Sequence, residues 1–95
     1  MPAYIVFTRE RTLDADELDA YSQAVEGTLA GHPVKVLAAY GDQQVLEGSP
    51  IEGVVILEFP SMDDARTWYD SADYQKVRRH RLKGAQYRAV IVDGP

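Results

Sequence analysis

The sequence predicts an α+β domain in which helices cover one face of a four-stranded antiparallel sheet. Three observations carry that prediction. Runs rich in β-branched and aromatic residues recur four times along the 95 residues. Capped amphipathic stretches separate the first run from the second and the third from the fourth. The order is therefore βαββαβ, with an extra short helix before the last strand, which is the ferredoxin-like arrangement.

Ala3 to Thr8 (AYIVFT) opens the chain as a strand. Asp14 then offers a helix cap, with Glu17 three residues on and an acidic first turn that suits the helix dipole. Leu18, Tyr21, Val25 and Leu29 follow at three- and four-residue spacing and make one apolar stripe. Gly31-His32-Pro33 stops that helix. Val34 to Tyr40 reads as the second strand and Gly41-Asp42 as a turn. Gln43 to Glu47 is expected to extend that strand or add a hairpin arm before the turn at Gly48-Ser49-Pro50. Val54 to Phe59 (VVILEF) is the plainest strand, and Pro60 ends it. Ser61 caps a helix whose inner side carries Ala65, Trp68 and Tyr69. Ser71 caps another that runs to about Leu82, Gly84 closes it, and Gln86 to Val92 is the last strand.

Strand faces alternate with period two. Val54 and Ile56 oppose Val55, Leu57 and Phe59; Tyr4 and Val6 oppose Ala3, Ile5 and Phe7; Ala89 and Ile91 oppose Val90 and Val92. Both faces are apolar, whereas an antiparallel sheet with one solvated face alternates apolar and polar. Helices can cover only one of them. A second copy packed sheet against sheet is the simplest cover for the other, so a homodimer is expected.

A chain of this length fits one domain, residues 1–95, of marginal stability by itself. With no cysteine there is no disulfide framework, thiolate metal site or cysteine nucleophile. No basic leader and no long apolar run precede the first strand, so neither secretion nor a membrane is expected and the cytoplasm is the default. The net charge of −5 argues against nucleic acid. Six of the ten basic residues nevertheless lie between Lys76 and Arg88.

That basic segment is helical, and a helix divides it. Tyr74, Val77, Arg78, Arg81 and Leu82 fall on one side, while Gln75, Lys76, Arg79, His80 and Lys83 fall on the other, with Arg79 and His80 expected to face water. Arginines on an apolar side need a partner. The partner is either a structural carboxylate, for which Glu58 is the natural choice, or the carboxylate or phosphate of a ligand. Glu58 left unpaired would be a candidate general acid or base, and His32 a candidate proton-transfer group at a pocket mouth. Trp68 and Tyr69 are adjacent, so one packs and the other lines a groove, with Tyr21 beneath. Tyr21, Trp68, Tyr69 and Tyr74, with Arg78 and Arg81, form the candidate ligand site. Two histidines without ligand-spaced carboxylates make no metal site, and no phosphate loop, dinucleotide fingerprint or nucleophile elbow is present. No cofactor is expected.

The stretches Val45-Leu46-Glu47-Gly48, Val54 to Ser61 (VVILEFPS), Trp68-Tyr69-Asp70-Ser71 and Tyr74-Gln75, followed by Arg78 and Arg81, resemble the family catalogued as domain of unknown function 1330. That family lies in the dimeric α/β-barrel superfamily, and the resemblance spans nearly the whole chain. It implies a ferredoxin-like monomer that pairs sheet to sheet, and it implies no single activity, since the superfamily includes cofactor-independent monooxygenases, lactone isomerases, polyketide cyclases and haem enzymes. The chain departs from the family at His32-Pro33-Val34, where His-Gly-Gly is usual, and at Ala39, where the family tends to carry arginine.

Two readings of function follow. One is an enzyme or binder of a small organic anion held between sheet and helices. The other is a non-catalytic dimeric sensor or interaction module in which Arg78 and Arg81 are structural ion pairs.

Overall fold

A computed structural model describes residues 1–95. Its elements run β1 (Ala3–Thr12), α1 (Ala15–Thr28), β2 (Lys35–Ala39), β3 (Gly53–Phe59), α2 (Met62–Tyr69), α3 (Ala72–Gly84) and β4 (Ala85–Asp93). The four strands form one antiparallel sheet in the order β2-β3-β1-β4, with β1 and β3 central. This is the ferredoxin-like α+β arrangement expected from the sequence.

The helix starts follow from their caps. The Asp14 carboxylate accepts from the backbone N–H groups of Asp16 and Glu17, Ser61 Oγ accepts from Asp64, and Ser71 Oγ accepts from Tyr74. Each oxygen thereby satisfies donors that a helix start leaves without partners. Gly31, at φ 81°, turns the chain after α1 in a conformation that costs glycine little. The strand or hairpin arm expected at Gln43 to Glu47 does not form. Residues 40–52 run as an exposed connection, since Gly41, Asp42 and Gly48-Ser49-Pro50 favour turns over a ladder.

Register puts the two halves of each strand where alternation predicts. Ile5 lies opposite Leu57 on one side and Ile91 on the other, and Phe7 lies opposite Val55 and Ala89. These residues face the helices. The core gathers Ile5, Phe7, Leu57 and Phe59 from the sheet with Tyr21, Ala65, Trp68 and Tyr74 from the helices. Trp68 is its hub: it stacks on Phe59, meets Phe7 edge-on and lies 4.1 Å from the Tyr74 ring. Aromatic pairs of this kind add about 0.5–1.5 kcal/mol each beyond the area they bury.

The opposite face of the sheet carries Val6, Ile56, Val90 and Val92, and no element of the chain packs over it. Val90 is 57% exposed and Val92 49%. No helix is long and apolar enough to cross a membrane.

Candidate functional site

Between α1 and the sheet lies a cavity of about 600 Å³. Tyr21 and Val25 of α1 and Leu29 just past its end form one wall, and Phe7, Val36, Val55, Leu57 and Tyr87 form the sheet side. Trp68 and Arg81 reach it from α2 and α3, Tyr40 closes one end, and His32 and Glu26 lie at its edge. Thirteen of its 17 lining residues are hydrophobic, and Arg81 is the single arginine or lysine among them. Ala39 is on the same wall.

Arg81 is carried inward by helical spacing: it follows Tyr74 by seven residues, and both side chains sit on the buried side of α3. Only 3% of Arg81 is exposed, yet no carboxylate pairs with it. Tyrosines take that place. Its Nε donates to the Tyr74 hydroxyl at 3.2 Å and its Nη2 to the Tyr69 hydroxyl at 3.4 Å. The guanidinium also lies 5.2 Å from the Phe7 ring centre and 5.0 Å from that of Tyr87, close enough for cation–π attraction. Burial works against its charge, but the surrounding Tyr74, Tyr21 and Tyr69 oxygens outweigh it and hold the pKa above the ordinary arginine value. The group is a permanent cation facing an apolar chamber.

The tyrosines form a chain behind it. The Tyr21 and Tyr74 hydroxyls are 2.9 Å apart. Burial raises the pKa of both phenols, with the Arg81 charge working the other way. Both stay protonated at neutral pH, so neither is a base. At the far end the Tyr40 and Tyr87 hydroxyls bond to each other, and burial raises the Tyr40 pKa too. Tyr40 holds its place with a backbone φ of 58°, uncommon for so bulky a residue, and its ring lies flush on Gly53. A Cβ at Gly53 would come within 2.4 Å of that ring.

Of the candidate site residues, the structure brings Arg81, Tyr21, Trp68 and His32 to the cavity wall. Tyr74 stands one layer behind, buried and bonded to both Arg81 and Tyr21. Tyr69 and Arg78 are a supporting pair: Arg78 Nε donates to the Tyr69 hydroxyl at 2.8 Å, and Tyr69 borders a separate shallow groove with Ile5, Met62 and Ile91. The expected ion pair between these arginines and Glu58 is overturned. Glu58 lies opposite Tyr4 and Lys35, on the face of the sheet turned away from α3. It shares a shallow hollow with His32, Pro33 and Lys35, and its carboxylate bonds to nothing in the chain. His80, expected to face water, is instead half-buried, with Nδ1 2.7 Å from a Glu17 oxygen of α1.

Phe7, Tyr40 and Tyr87 belong to the site and went unnoticed in the sequence. The alternation that groups Ala89 with Ile91 also points Tyr87 inward, so one more step along β4 finds it. Nothing local announces Tyr40. Thr28 was missed as well: buried at the end of α1, its hydroxyl accepts from Trp68 Nε1 at 3.2 Å and so fixes the indole in the cavity wall.

The family model described as "Domain of unknown function (DUF1330)" matches residues 2–95. Comparison with curated proteins finds no match. Among solved structures, a protein of unknown function from Rhodopseudomonas palustris is 18% identical with a TM-score of 0.74, the alignment covering 99% of this chain and 82% of that one. A dimeric ferredoxin-like protein of unknown function from Thermobifida fusca is 17% identical with a TM-score of 0.68, covering 97% and 90%. SnoaB, a cofactor-independent oxygenase from Streptomyces nogalater, is 7% identical with a TM-score of 0.64, covering 99% and 93%. At these identities the likeness is one of fold.

Proposed function

Because the chain belongs to the DUF1330 family, whose description names no activity, we propose its function from the site itself: it binds a small organic anion with an apolar body in the cavity beneath α1. The observation that carries this reading is Arg81, a guanidinium 3% exposed, without a carboxylate partner, on the wall of a chamber lined mainly by aromatic and aliphatic side chains, with Ser22, Glu26 and His32 as its other polar residues. Buried charges in proteins are paired, and here the chain supplies only neutral phenols. A ligand anion is the missing partner, and the cavity volume suits a molecule of one to three rings. The alternative reading, a non-catalytic dimeric module with Arg78 and Arg81 as structural ion pairs, needs a carboxylate from across the dimer, since neither arginine meets one within the chain.

The chain works, in this proposal, as a homodimer joined through the face carrying Val6, Ile56, Val90 and Val92. That apolar face is uncovered in the monomer, and the Thermobifida fusca neighbour is described as dimeric. Sedimentation velocity tests it: Val90→Asp should give monomers, and a monomeric unaltered chain would end the idea.

Two probes of nearly one shape test the site, the anion 8-anilinonaphthalene-1-sulfonate and the neutral N-phenyl-1-naphthylamine. Trp68, the chain's one tryptophan, reports binding by energy transfer. The anion should bind with one site per chain and at least roughly tenfold tighter than the neutral probe, a difference of about 1.4 kcal/mol. Arg81→Met should erase that preference while the fold persists. Equal binding of both probes to the unaltered chain refutes the reading.

A further inference from the structure

The hydrogen-bonding capacity of the cavity is one-sided. Tyr74 is fully buried and does not line the cavity; its oxygen accepts from Arg81 Nε, and Tyr21 holds the one acceptor within reach of its own proton. Tyr74 therefore donates to Tyr21. That leaves the Tyr21 proton without an acceptor in the chain, on a residue of the cavity wall. Arg81 uses two of its five N–H groups on Tyr74 and Tyr69, so three remain. The Tyr40–Tyr87 pair shares one proton between its oxygens and has one left over. Side chains that could accept are few: the Glu26 carboxylate and His32 lie at the rim, and the Ser22 hydroxyl, which can also donate, is on the wall.

A wall of donors around a cation suits a ligand head that only accepts. Carboxylates meet that demand, but so do the oxyanions of weak oxygen acids, and for those the site does more than bind. From this geometry we infer that the cavity takes up phenols or enols in their ionised form and lowers their pKa. The inference rests on the anion-binding reading above. In the step itself the ligand O–H bond breaks, its electron pair stays on oxygen facing Arg81 and Tyr21, and the proton leaves to water through the mouth. No oxidant or second reactant is involved. The chain Arg81–Tyr74–Tyr21 strengthens the terminal donor, because each bond polarises the next. Burial keeps Tyr21 a proton donor throughout, so it competes with no ligand for ionisation. Donors fixed in a dry site before charge develops are the arrangement that stabilises oxyanions most.

The test uses 4-nitrophenol, whose phenolate is coloured and whose nitroarene quenches Trp68 on binding. Titrated with pH in the bound state, its pKa should fall by at least about one unit, a tenfold preference for the phenolate. Tyr21→Phe should reduce the shift and Arg81→Met should abolish it, each in a chain whose far-UV circular dichroism matches that of the unaltered protein. A bound pKa that is unchanged or raised overturns the inference, as does failure of 4-nitrophenol to quench Trp68 at any pH. If the sulfonate probe still depends on Arg81 in that event, the anion-binding reading stands and only the oxyanion selectivity falls.

Discussion

Methionine at position 81 would keep most of the volume of the arginine and none of its charge, and the change in stability can be worked from the contacts. Removing a guanidinium from water costs several kcal/mol even after the protein relaxes. Arg81 recovers part of that from two hydrogen bonds to tyrosine oxygens at 3.2 and 3.4 Å, both long for N–H···O, so about 1 kcal/mol each is generous. The faces of Phe7 and Tyr87 add roughly 0.5–2 kcal/mol apiece. The two sides nearly cancel. Nor does the substitution orphan a phenol, since Tyr74 remains bonded to Tyr21 and Tyr69 to Arg78. Arg81→Met should therefore change stability by no more than about 1 kcal/mol in either direction, which for a chain of this size moves Tm by less than roughly 8 °C. Urea unfolding followed by Trp68 fluorescence and far-UV circular dichroism measures it. A loss above about 3 kcal/mol would refute the reasoning, because that is the mark of a buried charge paired for structure.

Thr28→Val should cost more than Arg81→Met despite being nearly isosteric, because it strands the Trp68 N–H in the core at about 1–3 kcal/mol; equal urea midpoints for Thr28→Val and the unaltered chain would sink this account. Gly84→Ala places a Cβ 2.8 Å from Leu18 side-chain atoms and 3.0 Å from its backbone N, so α1 must shift, and overpacking of this kind costs about 1–3 kcal/mol. A Tm equal to or above that of the unaltered chain would refute it. Alkaline pH should unfold the chain cooperatively. Burial raises the pKa of Tyr21 and Tyr74 in the fold, so their contribution is intact below about pH 10 and falls as pH climbs towards the folded values, by roughly 1.4 kcal/mol per pH unit for each group. Tyrosinate absorbance should rise together with loss of circular dichroism, and full ionisation of all six tyrosines in a chain that stays folded would contradict it.

The sheet and its helices were legible because each element carries its own signal. Caps at Asp14, Ser61 and Ser71, the stripe Leu18-Tyr21-Val25-Leu29 and the alternation in Val54 to Phe59 are all local, and the structure uses each of them. The candidate site was legible in part for the same reason. Helical spacing brought Arg81, Tyr74 and Tyr21 inward, but it gave no information on which carboxylate shared their side of the sheet. Strand parity groups Glu58 with Val54 and Ile56, but with both faces apolar it does not say which one the helices cover; Leu57 and Phe59 prove to be the core side. Tyr40 and Thr28 were beyond reach by such rules. One depends on a backbone angle and a glycine thirteen positions on, and the other on an indole forty residues away.

The conformation of Tyr40 sets two demands on one residue against each other. Asparagine or glycine would adopt its φ of 58° with less strain, a relief worth on the order of 1–3 kcal/mol. Either would also remove the ring that rests on Gly53 and closes one end of the chamber. A laboratory selection for heat tolerance alone would be drawn to this position and would return a sturdier chain with an open-ended cavity. Selection for ligand retention would keep the tyrosine and its strain.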